Sequence, residues 1–188
     1  MKKLYYLFSK FKFLNIFIFI IFFINSNVLA SDLDRFFVGL KNAQNHVIAK
    51  QYENKIWQFW ITNGSSYTSN IQMQKGIVLL GNGKLNEALE LFVNLSKKEP
   101  LWSEPINKIA TIKFLKGDLL GSIKDIELTL AMEPRHFGAI SGLIQINVAL
   151  KRYDNALKNL DKVVIIHPFI GIKSLRPAIV KLLKKSSV

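Results

Sequence analysis

Histidine, cysteine, serine and the carboxylates are the side chains on which catalysis and metal binding usually rest, and this sequence rarely brings them together. His46, His136 and His167 fall in separate predicted elements with no second His at ligand spacing, so no metal site is expected. The absence of Cys removes thiolate ligands, thiol nucleophiles and disulfides together. No Ser sits in a nucleophile elbow and no glycine-rich loop is built to cradle phosphate. The expectation is a chain with no catalytic residues and no cofactor, in short not an enzyme, whose chemistry is binding.

Two groups of cations are candidates for anion contact. Arg135 and His136 precede a predicted helix start, where free backbone N–H groups already favour negative charge. Phe137, Gly138, Ala139 and Gly142 follow directly; small residues beside one aromatic suit close helix packing, and a structural role is the favoured reading of this string. Lys173, Arg176, Lys181, Lys184 and Lys185 cluster near the C-terminus, where they could meet an anionic lipid or envelope polymer.

The elements that must position these residues announce themselves by period. Pro100, Pro134 and Pro168 are 34 residues apart, and other positions keep that register: Gly83 and Gly117; Ala88, Ser122 and Ala156; Phe92, Ile126 and Leu160. Each unit reads as a helix A, a short turn and a helix B. The small residue early in helix B lets it pass within about 8–10 Å of helix A. Units of this kind expose apolar faces that only a neighbouring unit covers, so they must stack. Three are expected, over 69–102, 103–136 and 137–168.

Before them, Leu33, Phe36, Phe37 and Leu40 and then Val47, Ile48, Tyr52, Ile56, Trp57, Phe59 and Trp60 recur at helical spacing. They predict a helical hairpin over 31–68, out of register with the repeats and therefore a separate N-terminal cap, its aromatics buried as core. Asn63-Gly64 would end its second helix in a left-handed conformation. Residues 169–188 predict a basic capping helix, with Ser174 as N-cap and Pro177 in its first turn.

Residues 1–30 read as an export signal. Lys2, Lys3, Lys10 and Lys12 precede an apolar run from Ile16 to Ile24, and Val28-Leu29-Ala30 offers small residues for cleavage before Ser31. That run is short against the ~20 residues of a spanning helix, so cleavage is favoured over anchoring and a periplasmic location is expected. Of 26 basic and 13 acidic residues, four lysines lie in this segment, so the remainder carries +9. Such a balance would suit an anionic partner, but a chain so rich in Lys, Asn, Ile and Phe is read first as reflecting the base composition of its genome; nucleic acid is not expected as the partner of an exported chain.

The small residue, turn glycine, second small residue, large apolar residue and closing proline at a 34-residue period resemble the tetratricopeptide repeat family over residues 69–168. The third turn departs from the pattern, with Lys151 where the other two have Gly. The resemblance implies an all-α, right-handed superhelical solenoid whose concave groove, lined by the A helices, holds a peptide or protein segment. Carried over by register, the groove positions are Asn70, Met73 and Ile77; Asn107, Lys108, Thr111 and Phe114; and Ser141, Gln145 and Val148. The family's carboxylate clamp needs cations at positions filled here by Met73, Ile77, Gly138 and Gly142, so chaperone-tail binding of that kind is not expected. A peptide or protein of the cell envelope is the expected partner.

Overall fold

The structure, a computed structural model, describes residues 31–186; the expected export signal lies outside them. Backbone contacts divide the chain into residues 1–32 and 33–188, and the packing below belongs to the second unit. Its helices are α1 (Asp32–Lys41), α2 (His46–Ile61), α3 (Tyr67–Gly81), α4 (Leu85–Lys98), α5 (Ser103–Leu115), α6 (Leu119–Met132), α7 (Phe137–Ala149), α8 (Tyr153–Ile166) and α9 (Arg176–Ser186), with a 3-10 turn at Gly171–Leu175 before α9. None of the described helices is long and apolar enough to cross a membrane.

Helices α3–α4, α5–α6 and α7–α8 are the expected A–B pairs. Each A helix ends in the same wrap: the backbone N–H groups of Lys84, Asp118 and Arg152 donate to the carbonyls of Leu79, Lys113 and Asn147 at 2.7–2.9 Å. The residue before each donor must turn left-handed, at φ 73° for Gly83, 81° for Gly117 and 58° for Lys151. Inside each pair the small residue is buried beneath the large one, Ala88 with Phe92, Ser122 with Ile126 and Ala156 with Leu160. Ser122 is tolerated there because its Oγ donates to the Ala110 carbonyl at 2.7 Å. A Cβ on Gly76 would come within 2.6 Å of the Phe92 ring, which fixes glycine at that crossing.

The hairpin α1–α2 is not a cap stacked on the first pair. It runs along the edge where each B helix turns into the next A helix. At the first junction the Trp60 carbonyl accepts from Trp102 Nε1 at 2.5 Å. Just beyond α2, Ser65 Oγ donates to Glu99 at 2.8 Å. At the second, the Trp60 ring lies 3.9 Å from the His136 ring and parallel to it, and Trp57 and Phe37 pack on Phe137. At the third, Glu53 faces His167 at 3.5 Å and His46 packs on Phe169. Sixteen residues of helix at ~1.5 Å each reach about 24 Å, enough to tie the three junctions. Of the hairpin aromatics expected as core, Phe37 and Trp60 are buried and Phe36, Tyr52, Trp57 and Phe59 are half-buried, packed with Phe137, Ile140, Ile144 and α8.

Three local expectations are corrected. Helix α2 ends at Ile61, capped by the Thr62 N–H on the Gln58 and Phe59 carbonyls, and Gly64 is not left-handed. Gly64 is needed for space instead: a Cβ would stand 2.7 Å from the Trp102 ring. Helix α3 begins at Tyr67, two residues before the expected repeat boundary, because Ser66 accepts from the Ser69 N–H as N-cap. Ser174 lies within the 3-10 turn, donating to the Gly171 carbonyl, and does not cap α9.

Candidate functional site

A cleft of about 240 Å³ opens between α5 and α7, with α6 behind it. Ala110, Ser122, Ala139, Gly138 and Gly142 keep its floor low; Phe114, Leu115, Ile126 and Ile146 make apolar walls; Asn107, Thr111 and Gln145 bring the polar groups. The depth follows from sequence. Ala110 on α5 and Gly138, Ala139 and Gly142 on α7 are small, and Gly142 is open enough that an added Cβ would only touch Ile126 at 3.4 Å.

Four expected groove residues meet in this cleft: Asn107, Thr111, Phe114 and Gln145. The other six do not. Met73 is fully buried in a core with Ala88, Phe92 and Trp102, so it is no partner contact; it fills the space between α3 and α4. Ile77 packs on the same core and Val148 on the neighbouring one. Asn70 accepts from the Gly64 N–H at 2.9 Å, and Ser141 donates to the Phe137 carbonyl at 2.8 Å. Lys108 is mostly covered, its Nζ 2.8 Å from Glu104 and 5.3 Å above the Trp57 ring.

Behind Lys108 lies a buried polar chain. Glu104 is 0% exposed; its Oε1 meets Lys108, and its Oε2 is 2.8 Å from His136 Nε2 and 3.2 Å from Asn107 Nδ2. His136 Nδ1 accepts from the Ala139 N–H at 3.1 Å, which leaves the ring proton on Nε2, aimed at Glu104. Burial pushes the Glu104 carboxyl up, but Lys108 and His136 outweigh it and hold the group below the ordinary carboxylate range. His136 therefore caps α7 and steadies Glu104; fully buried, it cannot meet an external anion.

Arg135 is likewise spent within the fold. It pairs with Glu133 at 2.9 Å and Asp34 at 2.6 Å and lies 4.2 Å over the Phe37 ring. Of the C-terminal cations, Lys173 donates to the Pro168 carbonyl at 2.7 Å and Arg176 pairs with Asp161. Lys181, Lys184 and Lys185 are exposed on α9. The residues that sequence reasoning missed are Glu104 and Trp57. An i, i+4 Glu–Lys pair was the available sign of the first; nothing local placed Trp57 over Lys108.

No protein-family model matches the chain. It is 34% identical over 114 residues to a TPR repeat-containing protein of Rhizobium etli, an alignment covering 61% of this chain and 55% of that protein, so the chain spans little more than half its relative's length. In fold it is similar to the first TPR of Spaghetti (RPAP3) bound to the HSP90 peptide SRMEEVD, with TM-score 0.59, 18% identity and 66% and 98% of the two chains covered. It is also similar to the TPR2AB domain of yeast Sti1 in its HSP90 complex, at 0.54 and 15%, covering 83% and 62%, and to MamA, at 0.51 and 15%, covering 82% and 90%. The register, the repeated turn geometry and these likenesses agree: the described residues form an all-helical array with the fold of tetratricopeptide-repeat proteins, its repeats the pairs α3–α4, α5–α6 and α7–α8.

Proposed function

We propose that this protein is a non-catalytic scaffold that holds a peptide or protein segment in the cleft between α5 and α7, and that it does so in the periplasm after loss of residues 1–30. The observation that carries the reading is the cleft itself, lined by helix A residues of two successive repeats. The HSP90 peptide bound to one fold neighbour and the HSP90 complex of another support it by analogy. The expected partner belongs to the cell envelope.

The test is photo-crosslinking from position 145 in the envelope fraction, compared with the same probe in the Thr111→Ala/Phe114→Ala variant. Capture of one partner that the double variant loses, with its circular dichroism unchanged, supports the reading; undiminished capture refutes it. Intact mass of the exported protein should start at Ser31.

A second reading is favoured by the exposed Lys181, Lys184 and Lys185 on α9: peripheral attachment to an anionic membrane or envelope polymer. Such attraction is screened over ~8 Å at physiological salt. Vesicles of anionic lipid should release the protein as salt rises, and Lys181→Glu with Lys184→Glu and Lys185→Glu should abolish binding. Binding that survives both discards this reading.

A further inference from the structure

We infer that the cleft takes an uncharged apolar side chain from an extended partner segment and rejects a carboxylate, because no cation lines it and the lysines beside it on α5 are held by other groups of the chain. The inference rests on the reading of the cleft as the partner site.

None of the residues lining the cleft is charged. Lys108, on α5 at its edge, is held 2.8 Å from Glu104, and Lys113, one turn further on, is held 2.7 Å from Asp125. Glu104 cannot swing away, since His136 and Asn107 both hold its second oxygen and no part of it reaches solvent. A carboxylate entering the cleft would lose its water and find no cation in the lining in exchange. An apolar side chain loses nothing polar and covers Phe114 and Leu115, the latter 55% exposed.

The polar groups suit a peptide backbone. Asn107 is 6% exposed and turns its Nδ2 to Glu104, which leaves its Oδ1 with no partner among the described residues. Gln145 makes only a long bond, 3.5 Å to the Ser141 carbonyl. One acceptor and one weakly held carboxamide on opposite walls match the N–H and C=O of an extended segment passing over the cleft.

The experiment uses the full chain, labelled with 15N, and acetylated, amidated nonapeptides of Gly, Ser and Asn carrying a central Leu, Phe or Asp. The Leu and Phe peptides should shift the amides of Thr111, Phe114, Gly142 and Gln145 at concentrations at least tenfold below the Asp peptide. Glu104→Gln, which frees Lys108, should narrow that gap. Gly142→Leu, which fills the floor, and Phe114→Ala, which removes a wall, should each weaken Leu-peptide binding at least tenfold with helicity retained. Equal or tighter binding of the Asp peptide overturns the inference while leaving partner capture intact. Shifts confined to other surfaces, or undiminished in both cleft variants, overturn it and the scaffold reading together. If no peptide shifts any amide the inference fails, and crosslinking from position 145 then decides the scaffold reading alone.

Discussion

Lys151 shows what one side chain costs when the fold dictates its backbone. The third A-to-B turn needs a left-handed residue, and Lys151 supplies it at φ 58° where Gly83 and Gly117 serve the other turns. A Cβ in that region costs about 1–2 kcal/mol, partly offset by the extra unfolded-state freedom of glycine. Lys151→Gly should therefore stabilise the protein by about 0.5–1 kcal/mol, raising Tm by roughly 1–4 °C; thermal melting with an unchanged or lower Tm would count against the strain. His136 sits at the opposite extreme, with both ring nitrogens engaged. His136→Ala uncaps α7 and withdraws a partner from a fully buried carboxylate. Loss of about 2–4 kcal/mol is expected in urea unfolding, and a loss below ~1 kcal/mol would mean that Lys108 suffices to hold Glu104.

At the scale of elements, the hairpin α1–α2 is the departure from a plain repeat array, in which each unit meets only its neighbours. Trp60 is its fastening: buried, stacked on His136, accepting from Trp102 and packed on Phe37, Trp57 and Phe137. Trp60→Ala should cost about 3–5 kcal/mol and release the hairpin before the pairs. Hydrogen exchange should then show α1 and α2 losing protection while α5 and α7 keep theirs; uniform loss would mean that the strap and the repeats open as one unit. The helix pairs were legible because everything that defines them is local and recurs: turn residue, small residue, large residue, proline. The strap was not, since aromatics at helical spacing in 46–60 say which face is buried and not against what. Trp102 and His136 share a register, 34 residues apart, yet the common purpose of receiving Trp60 appears only when the hairpin is in place. The same limit explains the groove. Register brought Asn107, Thr111, Phe114 and Gln145 to one cleft, but not Met73, because α4 approaches α3 on that side and Met73 fills the joint with Ala88 and Phe92.

For the whole molecule, the buried ionisable groups set a common direction for pH. His167 is 2% exposed and has an unpartnered Nδ1. Burial lowers its pKa below the ordinary 6.5; the Glu53 carboxylate works against this, and Lys50 and His46 work with it. Above pH 6.5 the imidazole is neutral folded or unfolded, so it leaves stability unchanged. As pH falls through 6.5 the unfolded chain takes up a proton that the folded chain still refuses, and stability declines until folded His167 is protonated too. Glu99 is held low by the hydroxyls of Ser69 and Ser65, and Glu104 is held low as described above. Their contribution is complete above pH 4.5 and is lost as pH falls through their folded values. All three groups thus weaken the fold in acid, in two stages. Urea midpoints measured from pH 7.5 downward should begin to fall near 6.5 and steepen below 4.5. His167→Gln, which removes the first titration, should flatten the upper stage and leave the lower one. A midpoint that holds constant between pH 7.5 and 5.5 in the unmodified protein would show that His167 accepts its proton in place, with Glu53 offsetting the burial.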